Sequence, residues 1–444
     1  LRVAARRVAR GKTFNAGQTC IAPDHVWVER SVADKFVEYL AEALDNIYGM
    51  PAMKSAQYPH IITRRALDRL VGYTGGSSGR VVYGGSVDNE RLALLRKGYT
   101  HYGNDTCAGD GLCSKSCPMG INISHLTHEL RRLEMGAMGN RVGEFVADHF
   151  AGVKGALRGV LAVADVAHAA LGSKAMSTIG KGLHKGLKMP LWTPSLPKNY
   201  RFKEGRVVRS EHKDKVVYFP SCINQTMGVD RESRHLRPLV EEMMSLFDKA
   251  GYEVILPKAM ESLCCGTIWE SKGMPEVADK KLRELEDALW EASEQGKYDV
   301  VCDQSPCLYR MKEKIKRMHL YDSAEFVWKK MRDRLEFVQS DRPIAIHLTC
   351  STRKMGIEVA VEGLARLCST KVLVPEGVGC CGFAGDKGFT HPELNAYALR
   401  KLRAQIESSG VEVGYSNSRT CEIGLSTNSG IPYRSIIYLV NECT

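Results

Sequence analysis

The sequence predicts an α/β protein made of two repeated units of parallel strands covered by helices. Ahead of these come an α/β opening segment and a small, mostly helical segment that carries cysteines. Three observations lead there. Strands and helices alternate twice between residue 201 and the end, and the triplets Cys264-Cys265-Gly266 and Cys380-Cys381-Gly382 recur at matching places in the two rounds. The chain's 444 residues also exceed one hydrophobic core, since roughly 150 residues per domain suggests about three units. Alternation of this kind favours parallel sheets with helices on their faces.

Taken in order, residues 1–87 mix helical pattern with short strands. Apolar residues at helical spacing mark 31–48 as a helix, and 80–83 reads as a strand before Gly84 and Gly85. Residues 88–150 hold a cysteine cluster among turn residues, followed by a helix from about Ser124. Residues 151–200 are rich in Gly and Ala and end in Pro190, Pro194 and Pro197, a composition typical of a connector. The first repeat, 201–335, is expected to have strands at 216–219, 253–256 and 299–302, with helices at 233–250 and 275–295. The second, 336–444, is expected to have strands at 344–348, 371–374 and 411–415, with helices at 356–367 and 392–408.

Composition narrows the function classes. With 44% hydrophobic and 25% charged residues, the chain is neither disordered nor fibrous. Its net charge of +11 suits an acidic partner or an anionic surface. The excess is densest where Lys154, Arg158, Lys174, Lys181, Lys185 and Lys188 face a single acid, Asp165, which reads either as a basic interaction module or as a solvated linker. The best apolar run, 156–172, is broken by Arg158 and Asp165 and falls short of the ~18 residues of a spanning helix. Leu1 is not an initiator methionine and no signal-peptide core follows it, so the chain is expected to begin inside a longer product. Fifteen cysteines without a secretory signal argue for metal or catalytic use in a reducing compartment. The expectation is a cytoplasmic protein, or one peripheral to a membrane on its reducing side, and not a secreted one.

The first cysteine set reads Cys107-Ala-Gly-Asp110-Gly-Leu-Cys113-Ser-Lys-Ser-Cys117-Pro118. Offsets of three, six and ten from Cys107 are those of a ferredoxin-type iron–sulfur motif, with Asp110 at the second position. A carboxylate is a harder ligand than a thiolate, so this corner would hold iron weakly or stay open. A zinc knuckle or unligated thiols remain the alternative. His101, His125 and His128 flank the set without being assigned as ligands.

In the repeats, Cys222, Cys264, Cys265, Cys302 and Cys307 match Cys350, Cys380, Cys381, Ser416 and Cys421. All fall at the carboxyl ends of predicted parallel strands, where open α/β sheets build sites. Neighbouring cysteines on a strand point to opposite faces, so converging on one object needs a sharp turn, which Gly266 and Gly382 permit. Zinc sites usually take cysteines two or more residues apart, which favours a multi-iron cluster of the 4Fe-4S type. Vicinal disulfides or buried inert cysteines stand as the competing readings. By this count the first site has five candidate thiolates and the second four. Cys368 and Cys443 read as structural or free.

At these residues the chain, from about 88 to 444, resembles the carboxyl-terminal half of FAD-dependent D-lactate dehydrogenases and glycolate-oxidase-type enzymes. The marks are Thr106-Cys107-Ala108-Gly109-Asp110-Gly111-Leu112-Cys113, Cys117-Pro118, Pro190-Leu-Trp-Thr-Pro194, and Gly379-Cys380-Cys381-Gly382-Phe383-Ala384-Gly385. The resemblance implies electron transfer from a flavin domain, absent from this chain, through iron–sulfur clusters to a quinone or cytochrome-type acceptor. It also implies a flavin-containing dehydrogenase domain or subunit as partner, possible peripheral membrane contact, and no nucleic acid. Residues 1–87 instead resemble class 3 aldehyde dehydrogenases, through Gly11-Lys-Thr-Phe-Asn15-Ala-Gly17-Gln18-Thr19-Cys20-Ile-Ala-Pro23-Asp24. There Cys20 would be the nucleophile that attacks an aldehyde, or the segment is a joined relic.

Overall fold

The structure is a computed structural model that describes residues 1–13, 26, 28–48, 98–116, 122–187, 189–202 and 214–444. The described residues fall into two compact units, one drawn from Leu1–His101 and the other from Tyr102–Ser116 and Asn122–Thr444.

In the first unit the helices Arg2–Thr13 and Ala33–Tyr48 pack together. Ala5 and Ala9 of one helix and Phe36 and Ala43 of the other are buried. The small alanines let the helices approach, and Arg2 lies over the Tyr39 ring at 4.9 Å. The expected helix at 31–48 is present, beginning with a 3-10 turn at Arg30–Val32. The expected strand at 80–83 lies outside the described residues.

The second unit holds two four-stranded parallel sheets. The first comprises β1 (Asp214–Phe219), β2 (Tyr252–Ile255), β3 (Val300–Cys302) and β4 (Leu320–Asp322), in the order β2-β1-β3-β4. The second comprises β5 (Ile344–Ile346), β6 (Val372–Leu373), β7 (Gly414–Ser416) and β8 (Tyr433–Ser435), in the order β6-β5-β7-β8. The central strands are apolar on both faces because helices cover both: Val216 to Phe219 and Ile344 to Ile346 are buried throughout. In each sheet the order reverses between the first and third strands. Open α/β sheets place their ligands in that crevice, at the carboxyl ends of the strands.

The covering helices follow the 3.6-residue period. On Leu239–Lys249 the residues Leu239, Val240, Met243, Leu246 and Phe247 form the buried face, and on Pro275–Ala292 it is Ala278, Leu282, Leu285 and Leu289. The first of these begins only after Pro238, not at 233, because proline lacks the amide that would continue a helix inward. The helix expected at 392–408 is two, Pro392–Ala398 and Leu402–Ser409. The stretch expected to be a connector is a helix, Phe150–Leu187, bent where Gly172 leaves helical geometry at φ 73 and ψ 167. Its alanines and leucines outweigh its glycines, and buried Phe150, Lys154 and Leu161 fix it to the rest of the unit. Among the described residues no helix is long and apolar enough to cross a membrane.

The two repeats join at equivalent helix starts. Ser305 donates its N–H to Asn417 O (3.2 Å), and Arg419 N–H donates to Gln304 Oε1 (2.9 Å). Gln304 Nε2 donates to Ser418 Oγ at 3.1 Å, and all of these groups are buried.

Candidate metal centres

In the first repeat the thiols of Cys222, Cys264, Cys265 and Cys307 form a chain of side-chain contacts, Cys222 to Cys264 to Cys265 to Cys307. Cys222 follows β1, the doublet follows β2, and Cys307 opens the helix Ser305–Lys314 after β3. Three elements thus deliver four sulfurs to the crevice. Contact with Cys222 and then Cys265 pushes the buried Cys264 thiol well up, contact with Cys265 pushes Cys307 up, and contact with Cys264 and Cys307 holds Cys265 well down; Thr267 Oγ1 also lies 3.1 Å from Cys265 Sγ.

The second repeat has the same chain, Cys350 to Cys380 to Cys381 to Cys421, with Cys381 Sγ and Cys421 Sγ 3.1 Å apart. Both doublets turn on glycines with positive φ, Gly266 at 84° and Gly382 at 71°. A Cβ on Gly266 would stand 2.2 Å from Ala278 O, and one on Gly382 2.8 Å from Ala398 Cβ, so neither position accepts a side chain. After each turn the glycine N–H points back at the first sulfur, Gly266 to Cys264 (3.5 Å) and Gly382 to Cys380 (3.3 Å). Soft sulfur donors converging from three elements, with backbone N–H groups aimed at them, suit an iron–sulfur group.

Cys302 stands apart. It is fully buried in β3 with its thiol 3.9 Å from Gln304 O, and burial pushes it well up. Its counterpart Ser416 faces His347 (Oγ to Nδ1 3.5 Å), whose imidazole burial pushes down to about 4. Each repeat therefore brings together four thiols, and the extra cysteine of the first lies outside its chain of contacts.

Of the ferredoxin-type set, Cys107, Asp110 and Cys113 are described, whereas Cys117, like Cys20, lies outside the described residues. Gly109 and Gly111, with φ of 65° and 67°, place Asp110 at the tip of a tight loop. Gly109 N–H donates to Cys107 Sγ (3.4 Å) and Ile123 N–H to Cys113 Sγ (3.3 Å). Asp110 leaves its own motif: its carboxylate groups with the sulfurs of Cys350 and Cys380, all three ligand atoms lying within 4.8 Å of one another.

Other residues near the sites were not evident from spacing. Arg131 donates to Cys107 O (2.9 Å) and to Ser271 O (2.7 Å), fastening the cysteine loop to the helix that follows the first doublet. Arg310 donates to Cys265 O (2.7 Å) and pairs with Glu270 and Asp279. Asn395 Nδ2 donates to Cys381 O at 2.5 Å. Arg310 sits three residues after Cys307, one helical turn on, a faint signal in hindsight. Cys368 and Cys443, both buried, touch each other away from either site. The basic stretch is partly neutralised: buried Lys154 and half-buried Arg158 both pair with Glu261, while Asp165 pairs with Arg231 and Arg234.

Comparison with known proteins matches the two parts separately. Residues 1–100 match the aldehyde dehydrogenase family, and residues 216–312 and 344–426 match a cysteine-rich domain. The opening segment is 43% identical over 88 residues to a dimeric NADP-preferring aldehyde dehydrogenase of Canis lupus familiaris, covering 20% of this chain and 19% of that protein. It is 42% identical over 88 residues to the Bos taurus protein of the same name, covering 20% of this chain and 36% of that protein. To 4,4'-diaponeurosporen-aldehyde dehydrogenase of Staphylococcus aureus it is 34% identical over 90 residues, covering 20% of each. The chain thus spans between about a fifth and a third of the length of these relatives.

Proposed function

We propose that this chain, in which an aldehyde dehydrogenase segment precedes paired cysteine-rich domains, serves as the iron–sulfur electron-transfer portion of a D-lactate-dehydrogenase-like oxidoreductase acting on D-2-hydroxy acids. The observation that carries this reading is the pair of four-thiol constellations built alike at the switch points of two sheets. A bound iron–sulfur cluster supplies one-electron transfer at a potential set by its surroundings. The chain's own residues would hold it: Cys222, Cys264, Cys265 and Cys307 in the first repeat, and Cys350, Cys380, Cys381 and Cys421 in the second. Gly266 and Gly382 N–H groups steady the sulfurs, and Arg131 keeps the 107–113 loop beside the first repeat.

In this reading FAD belongs to a flavin-containing dehydrogenase domain or subunit, and a quinone or cytochrome-type acceptor takes the electrons. Exposed Val160, Val163 and Val166 share one face of the long helix, with exposed Lys174, Lys181 and Lys185 further along it, which suits contact with an anionic membrane surface. Anaerobic reconstitution of the full chain with iron and sulfide should give bound iron, acid-labile sulfide and brown absorbance. A preparation that takes up neither iron nor sulfide overturns the proposal. With the flavin partner added, D-lactate should bleach that absorbance and L-lactate should not.

The identity of the opening segment to aldehyde dehydrogenases favours a second reading, NAD(P)-dependent aldehyde oxidation with Cys20 as nucleophile. It predicts aldehyde-dependent NAD(P)H formation that Cys20→Ala abolishes. A chain inactive with both nicotinamides removes it.

A further inference from the structure

The two thiol sites differ in what stands beside their outer sulfurs. In the first repeat buried Lys154 lies within electrostatic reach of Cys222. In the second, Cys350 and Cys380 face a carboxylate, that of Asp110. Among the described residues no lysine or arginine forms an ion pair with Asp110. Metal ligation needs those two sulfurs as thiolates, and a half-buried carboxylate beside two thiolates is repulsive unless a cation lies between them.

The loop is built to hold that position. One carboxylate oxygen of Asp110 accepts the Leu112 N–H at 3.1 Å, and Gly111 N–H donates to buried Ser124 Oγ at 3.0 Å. The loop's helix, Leu112–Ser116, packs on Cys350–Met355, and a Cβ on Gly111 would come within 3.0 Å of Lys354 Nζ. With φ at 67°, residue 111 favours glycine, which keeps the turn that presents Asp110.

We propose that Asp110 is an oxygen ligand to the metal of the second repeat's site, on its Cys350/Cys380 side, and not a ligand within its own cysteine motif. The inference rests on the reading that the second repeat's thiols hold iron. It gives that site a fifth donor and a chemically distinct corner, since a carboxylate binds iron more weakly and exchanges more readily than a thiolate.

The test uses the full chain reconstituted with ⁵⁷Fe and sulfide, read by Mössbauer spectroscopy and by iron release to a chelator. Cys380→Ser should strip the second repeat of iron; if it does not, the iron reading for that repeat fails, whatever Asp110 does. Asp110→Ala should remove the oxygen-ligated component from the spectrum and speed iron release roughly tenfold. Asp110→Asn, which keeps the side chain's shape, guards against a folding defect and should lose the same component, while Asp110→Cys should restore retention with an all-sulfur spectrum. In the Cys380→Ser background, Asp110→Ala should add nothing. Two results overturn the proposal while sparing the iron reading. One is an unchanged spectrum and release rate in Asp110→Ala. The other is an Asp110 effect that survives in the Cys380→Ser background, which would assign the carboxylate to the Cys107 motif.

Discussion

The two repeats hold their thiols alike and surround them differently. In both, the carbonyl of the second doublet cysteine accepts a side-chain hydrogen bond, but the donors come from different elements. In the first repeat Arg310 reaches Cys265 O from the helix after β3. In the second, Asn395 reaches Cys381 O from the helix Pro392–Ala398, and Gly424 stands where Arg310 would be. A Cβ at Gly424 would meet Asn395 Nδ2 at 2.7 Å, so a side chain at residue 424 would displace the amide that serves Cys381 O. The lesson is that the carbonyl must be satisfied because it is buried, while the charge of the donor is free to vary. The first site thereby has Lys154 near Cys222 and an Arg310 whose charge is met by Glu270 and Asp279, and the second has Asp110 and a neutral amide.

The largest expected effects test the likeness. Cys265→Ser should abolish the iron of the first site alone and Cys381→Ser that of the second alone, as read by iron analysis and electron paramagnetic resonance of the reduced chain. If either change emptied both sites, the repeats would be parts of one centre. The next effect tests the difference. Nearby positive charge favours the reduced cluster and nearby negative charge disfavours it, so the first site, with Lys154 by Cys222, should titrate at a higher potential than the second, with Asp110 by Cys350 and Cys380. Lys154→Gln should narrow the gap. Equal potentials in a redox titration would mean that Glu261, which pairs with Lys154, cancels its charge at the sulfurs.

Smaller effects should appear in stability. Arg310→Met leaves Cys265 O without its donor and Glu270 and Asp279 without their cation. The loss should be about 3 kcal/mol, tempered because those carboxylates are about a third exposed. Asn395→Ala removes one neutral hydrogen bond to Cys381 O and one with Asn428, for about 1–2 kcal/mol. Urea midpoints of the two variants should rank in that order, and the reverse order would break the equivalence of the two donors.

What could be read in advance divides along physical lines. The strands at 216–219 and 344–348 were legible because central parallel strands are continuously apolar, and the doublets because glycine must follow them at a positive φ. β4 and β8 were not legible, since they are edge strands with a half-buried middle residue and lack the continuous apolar run of β3 and β5. The long helix read as a connector because its glycines mimic linker composition, while its burial depends on Phe150 and Leu161 finding partners far along the chain. Spacing grouped Asp110 with Cys107 and Cys113, and spacing cannot show that a loop's tip faces another repeat. Cys302 belongs with the thiols by position, yet at the end of β3 its Sγ lies against Gln304 O at 3.9 Å and is not a member of their chain of side-chain contacts.

The smallest effect concerns the cap of the last helix in each repeat. Asp322 ends β4 and caps Ser323–Phe326, where Ser435 ends β8 and caps Ile436–Glu442. Burial pushes the Asp322 carboxyl up to about 7, against a value of 3.8 when exposed. The folded state therefore prefers the protonated acid. Its contribution to stability is full below about pH 3.8 and is lost as pH rises toward 7, with a slope of at most about 1.4 kcal/mol per pH unit. Asp322→Asn keeps an acceptor for the Ala324 N–H and removes the titration, so the variant should gain on the parent as pH rises from 4 to 7 and run parallel to it above. The second repeat has no acid at its cap, but buried Glu422 is also raised to about 7, and the first repeat has Leu308 at that position. Glu422→Gln should flatten the same window to a similar degree or less, because Arg419 at 3.0 Å holds part of its charge. Unfolding midpoints measured across pH 4–8 separate the two contributions, and a parent–variant difference for Asp322→Asn that does not change with pH would show that this cap is already ionised in the folded protein.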